Sequence, residues 1–259
     1  MQKIKLLVLF VALIIVQGCK KDALLEDNLQ SVFDFHLAEV IHHSVEIGLL
    51  PQYDSTFVTT DMSLFTNLKL DSMAVTANEA SLSEPHTFYY SYNSAIENPT
   101  KRNITGDFEL VYFGAAVDSL SIVATNLVVG GLKTTYTGAY SDLSKEVIYG
   151  ETQVEVALAT RDSIFLYTTR TIKPITIGNN DYARQEITIV SNGTDRLGQN
   201  FKARSKGNLT RMYQCKMYYN EELSVKVDEV PDKIVTYPSS CNGAAVIESQ
   251  GQLTNIVFY

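Results

Sequence analysis

Residues 119–141 read SLSIVATNLVVGGLKTTYTGAYS. Leu120, Ile122 and Ala124 recur at every second position, the period that sends alternate side chains to opposite faces of a strand. Gly130-Gly131 then interrupts the run. Two adjacent glycines supply the positive φ angles of a two-residue hairpin turn. The stretch predicts a β-hairpin, 119–129 against a strand that starts at Leu132.

The same chemistry continues on both sides. Upstream lie STFVTT, SLFTNLKL, SMAVTA and HTFYYSY between residues 52 and 92, then FELVYF at 108–113. Downstream, Val154, Val156 and Leu158 alternate with polar residues, and Ile164, Leu166 and Thr168 lie opposite Phe165 and Tyr167. Further strands are expected at 182–191, 200–213, 215–227, 233–237, 243–249 and 252–258. Punctuation at 178–181, at Asn192-Gly193-Thr194 and at Gly198 fits tight reversals. Successive strands with short turns predict an antiparallel meander rather than βαβ units. At least ten strands exceed what one open sheet holds comfortably, so the sheet must fold over, curl or partly close. The fold class is mainly β: an antiparallel meander folded as a sandwich or a curled, partly closed sheet, with one N-terminal α-helix.

That helix is read at 28–48, where Leu29, Val32, Phe33, Leu37, Val40, Ile41, Ser44 and Val45 recur at three- and four-residue steps. Asp27 or Asn28 caps its start, and Gly48 with Pro51 ends it. One apolar stripe is expected to pack against some other element while the opposite face meets solvent.

The first residues, MQKIKLLVLFVALIIVQGC, set the compartment. Lys3 and Lys5 precede an apolar run from Leu6 to Val16. A run of that length falls short of the roughly 20 residues a bilayer span needs and fits a signal peptide. Val16-Gln17-Gly18-Cys19 resembles the lipobox of bacterial lipoproteins, in which the Cys becomes the acylated first residue; Gln17 departs from the small residue usual there. The chain then divides into a signal peptide (1–18), a tether (19–27), a helical segment (28–51) and a β domain (52–259), with a sub-boundary at the polar loop 93–103. Cleavage removes Lys3 and Lys5, so the formal charge of −8 falls to −10. An acidic chain argues against nucleic acid, whose binding draws on Lys and Arg. The implied partners are a membrane, through the lipid on Cys19, and an envelope protein.

Residues 105–259 resemble a group of uncharacterised β-rich lipoproteins of Bacteroidota. The match is carried by Gly131, Gly138, Gly193, Gly198, Phe201, Cys215, Cys241, Gly243, Ala245 and Val246. The resemblance implies the fold and an outer-membrane, palmitate-type lipid anchor, on the periplasmic face or the cell surface. It implies no activity.

Few residues point to chemistry. Cys215 and Cys241 form an even pair in an oxidising compartment, read as a disulfide closing a loop worth roughly 3 kcal/mol; the other reading is a thiol nucleophile. His36, Glu39 and His43 fall on one helix face at i, i+3 and i+7, a partial zinc site if a third strong ligand came from elsewhere. The competing reading, and the one adopted, is a solvated helix face. No metal or other cofactor is expected. Four Asp-Ser dipeptides precede Thr, Met, Leu or Ile, placing Ser55, Ser72, Ser119 and Ser163 in what looks like the O-glycosylation acceptor of Bacteroidota envelope proteins. The same spelling marks a turn entering a strand. The chain has no Trp, the usual platform of a sugar cleft, and shows no GxSxG, P-loop, HExxH or dinucleotide fingerprint. The expectation is a non-catalytic structural or protein-binding lipoprotein. Its alternatives are a carrier or sensor of an apolar or glycan ligand and, less favoured, a hydrolase.

Overall fold

The computed structural model describes residues 29–45, 68–72, 86–93, 104–113, 119–142, 146–158, 162–175, 184–212, 215, 217–228, 230–239 and 242–258. Helix α1 covers residues 29–45. The strands are β1 (Leu68–Ser72), β2 (His86–Asn93), β3 (Ile104–Phe113), β4 (Ser119–Val129), β5 (Leu132–Ser141), β6 (Ile148–Ala157) and β7 (Ser163–Ile175). They continue as β8 (Arg184–Thr194), β9 (Asn200–Ser205), β10 (Leu209–Met212), β11 (Glu221–Val227), β12 (Lys233–Tyr237), β13 (Ala244–Ser249) and β14 (Gln252–Val257). All belong to one antiparallel sheet whose order follows the chain from β1 to β14, except that β10 returns to pair with β8 beside β9. The meander is therefore as expected. The path is open, with β1 and β14 at its ends.

The opening hairpin forms in the expected register, with Val129 opposite Leu132. Gly130 (φ 58°) and Gly131 (φ 84°) sit in the left-handed region the tight turn requires. Gln250 (φ 52°) and Gly251 (φ 77°) make the equivalent turn between β13 and β14. β2 and β3 pair directly, Asn93 opposite Thr105.

The helix settles how the sheet is shaped. His42 reaches Tyr136 on β5, Arg170 on β7 reaches Glu39, Phe201 on β9 packs against Phe35, and Tyr237 on β12 reaches His36. β5 and β12 stand six steps apart in the sheet. Laid flat, six steps of about 4.8 Å span about 29 Å, against about 10–12 Å for a helix with its side chains. One helix touches both strands only if the sheet curls around it. Inward residues of β3 to β13, among them Ile122, Tyr136, Val154, Leu166, Ile189, Ala203, Val225, Val235 and Ile247, form a single core with Val32, Phe35, Ala38 and Ile41 of α1.

Three expectations need correction. α1 is not a surface helix: Ser31, Asp34, His36, Glu39, His42, His43 and Ser44 are all buried alongside its apolar residues, and Phe33 is its one exposed large apolar side chain. Asn192-Gly193-Thr194 is not a reversal but the end of β8, and the chain turns one step later, at Asp195–Gln199. The strands expected at 200–213 and 215–227 are interrupted. The first breaks at 206–208 into β9 and β10, where Lys206 N–H donates to the Glu222 carbonyl; in the second, Cys215, Met217 and Tyr218 are drawn into the core before β11 begins.

Gly193 has a packing reason. A Cβ there would lie 2.5 Å from the Phe201 ring and 2.7 Å from the Phe165 carbonyl oxygen. Gly193→Ala should therefore cost about 1–3 kcal/mol, the range for overpacking a close-packed site. Chemical denaturation checks this, and Phe201→Leu in the same chain should return part of the loss. An unchanged midpoint would show that this contact is absent.

Candidate functional site

The titratable residues converge on the helix. His36 Nδ1 lies 2.6 Å from the Val32 carbonyl, which can only accept, so Nδ1 carries the proton. Nε2 is then free to accept the Tyr237 hydroxyl at 2.6 Å. The Phe258 ring stacks on the imidazole, centroids 3.7 Å apart and 8° from parallel. Burial brings the His36 pKa down to about 4, against smaller opposing effects of the Val32 carbonyl and Glu39. The ring is neutral at pH 7.

Glu39, one turn on, meets β7 and the segment before β11. Its carboxylate accepts from the Arg170 guanidinium, the Tyr218 hydroxyl and, at 3.4 Å, the Thr168 hydroxyl. Both side chains of the Arg170–Glu39 pair are fully buried. Arg170 also donates to the Thr152 hydroxyl on β6, and Thr168 is 2.8 Å from Ser191 on β8. Burial alone would raise the Glu39 carboxyl. Arg170 and His42, with hydrogen bonds from Tyr218 and Arg170, outweigh it and hold the group below its ordinary value. Tyr218 is pushed well above the ordinary tyrosine value by burial and by the Glu39 charge.

His42 continues the network, its Nδ1 3.2 Å from the Tyr136 hydroxyl, which is 3.0 Å from that of Tyr140. His43 donates from Nε2 to the Cys215 carbonyl at 3.3 Å. A second cluster fixes the start of the helix. Arg196 donates through its backbone N–H and its guanidinium to Asp34, and Ser31 donates to Asp195. Asp195 also accepts from the backbone N–H groups of Leu197 and Gln199, closing the β8–β9 turn. Lys233, fully buried at the start of β12, is lowered from its ordinary value by burial, opposed by Asp195 and Asp232.

His36, Glu39 and His43 do share a helix face, but it is not solvated. Each turns to a different part of the sheet, and both His36 nitrogens and both Glu39 oxygens are hydrogen-bonded. Among the described residues no three His, Cys, Asp or Glu side chains are grouped to hold a metal ion. Chemically, the arrangement pairs one buried charge with its opposite and holds one histidine neutral. Mechanically, it locks the rotation and depth of α1, because Glu39, His36 and His42 each need a partner on a different strand.

Cys215 is buried, and Cys241 lies outside the described residues. Cys19 and Ser55 also lie outside them. Ser119 opens β4 and Ser163 opens β7, the latter exposed; Ser72 instead ends β1. Sequence reasoning missed Arg170, Tyr237, Tyr136, Asp34, Asp195 and Arg196. One signal was available: Arg170 falls in the inward series Ile164, Leu166, Thr168, Ile172, where a guanidinium requires a buried acceptor. Among the described residues no helix is long and apolar enough to cross a membrane. Comparison with family models, with curated proteins and with solved structures gives no match for this chain.

Proposed function

We propose that this chain is a lipid-anchored lipoprotein of the cell envelope with a non-catalytic, structural or protein-binding role. The observation that carries the reading is where the polar groups are. The His, Glu, Arg and Tyr side chains that could carry chemistry are buried around α1 and engaged with one another. The helix also occupies the hollow in which a curled sheet would carry an apolar ligand. Function then falls to the outer surface, where Thr135 and Thr137 on β5, Gln153 and Glu155 on β6 and Lys202 on β9 stand exposed. A Cys215–Cys241 disulfide and O-glycans on Ser55, Ser72, Ser119 and Ser163 belong to the same proposal. The lipobox-like Val16-Gln17-Gly18-Cys19 supports the anchor, since multiple acyl chains hold a protein at a membrane durably.

Cys19→Ala tests the anchor. The expected result is loss of palmitate labelling and release from the membrane fraction. Unchanged labelling and fractionation would overturn the lipoprotein reading. For the role, affinity capture of the detergent-solubilised protein is expected to retain a stoichiometric envelope partner. Turnover of a substrate by the purified chain would contradict it.

A further inference from the structure

Among the described residues β14 ends the sheet, and its outer edge is unusual. The Phe258 N–H donates to the Gly243 carbonyl at 2.8 Å, and the register from Ala244–Val257 to Ser249–Gln252 is unbroken. In an antiparallel ladder the residues that bond one neighbour alternate with those that face away. Gln252, Thr254, Ile256 and Phe258 therefore bond inward, and the backbone N–H and C=O groups of Leu253, Asn255 and Val257 point out along the edge. The side chains of these three residues are exposed on the outer face, Leu253 to 70% and Val257 to 47%.

Edge strands are ordinarily blunted by charge, proline or a bulge, because an open ladder recruits another strand. Residues 249–259 contain no charged residue and no proline, and β14 has no bulge against β13. The strand is also self-complementary. Turned about a two-fold axis through Asn255, Leu253 meets Val257, Asn255 meets Asn255, and Thr254 meets Ile256. Both exposed apolar side chains are then covered by each other, and each outward backbone group finds a partner. A chain with net charge −8 repels its own kind over most of its surface, but this edge adds nothing to that repulsion.

We infer that β14 is a self-pairing edge: two copies of this chain join antiparallel through Leu253–Val257 into one continuous sheet, an isologous contact closed by two-fold symmetry. The pairing needs only β14, so failure of the lipid-anchor test leaves it standing, and the reverse.

The test uses the full-length protein solubilised in detergent. Asn255→Cys, treated with a short bis-maleimide, should give a covalent dimer, whereas Thr236→Cys, exposed on the same face of β12, should give none above the unsubstituted chain. Asn255→Pro removes an N–H that no bond among the described residues uses. It should shift the sedimentation mass from two chains to one with the circular dichroism unchanged. If Asn255→Pro fails to fold, Leu253→Lys, which changes only a 70% exposed side chain, should give the same shift. The inference is overturned if Asn255→Cys cross-links no better than Thr236→Cys, if it is captured by a different protein in membranes, or if both edge variants remain dimeric.

Discussion

Replacing Glu39 by Ala is expected to lower the free energy of unfolding by about 3–5 kcal/mol, the range for removing one partner of a buried ion pair. The loss is large because of what stays behind. Arg170 would keep its charge at a site without solvent, and the Tyr218 hydroxyl would lose its acceptor. Single domains are stable by about 5–15 kcal/mol in all, so the variant would sit near the edge of folding. Arg170→Met should be similarly harmful, because it strands the Glu39 carboxylate. The double variant Glu39→Leu/Arg170→Met should lose much less than the two single losses combined, since well-packed apolar replacements of a buried pair are often close to neutral. Urea denaturation of the four proteins reads this directly. A loss below about 1 kcal/mol for Glu39→Ala is what an exposed helix face would give.

Acid should loosen the fold through His36 before it reaches the carboxylates. The ring titrates near 4 when folded, against 6.5 for the ordinary side chain, because burial disfavours its cation. Between those values the unfolded chain binds the proton and the folded chain does not. The stability associated with His36 is therefore complete above pH 6.5 and is lost as pH falls from 6.5 through about 4. The full loss is on the order of 3 kcal/mol. Glu39 acts in the same direction but lower: its folded value is depressed, so its contribution is present above the ordinary 4.5 and fades only as pH falls through the folded value. His36→Gln keeps a side chain able to donate and accept while removing the titration. Its stability should change less between pH 6.5 and 4 than that of the parent chain. Parallel pH profiles for the two would show that His36 is charged or exposed in the fold.

The parts of the fold that were readable in the sequence are those set by local patterning. Gly130-Gly131 and the alternation around it fix a hairpin because backbone dihedrals and pleat act over a few residues. The strand count points to a curl because strongly twisted sheets rarely exceed about ten strands without curling, splitting or flattening. What could not be read is the partner of each helix residue. Glu39 and Arg170 are 131 positions apart, and His36 and Tyr237 are 201 apart. With His, Glu, Asp and Ser around most of its circumference, α1 has the composition of a solvated face. A helix buried on all sides ordinarily reads as apolar all round. Here hydrogen-bond partners on surrounding strands replace that apolar coat. Gly193 misled for a related reason: Asn-Gly is a turn dipeptide, but the Phe201 ring claims the space over it. Both errors assign to local sequence what a distant strand decides.

α1 is the axis around which the sheet is wrapped, and native-state hydrogen exchange on residues 29–45 reads whether it is. The helix amides are expected to exchange only with global unfolding, at the same free energy as the core amides of β5, β7 and β12. Exchange of the helix at a much lower free energy, while those strands stay protected, would show a helix resting on a sheet that stands without it.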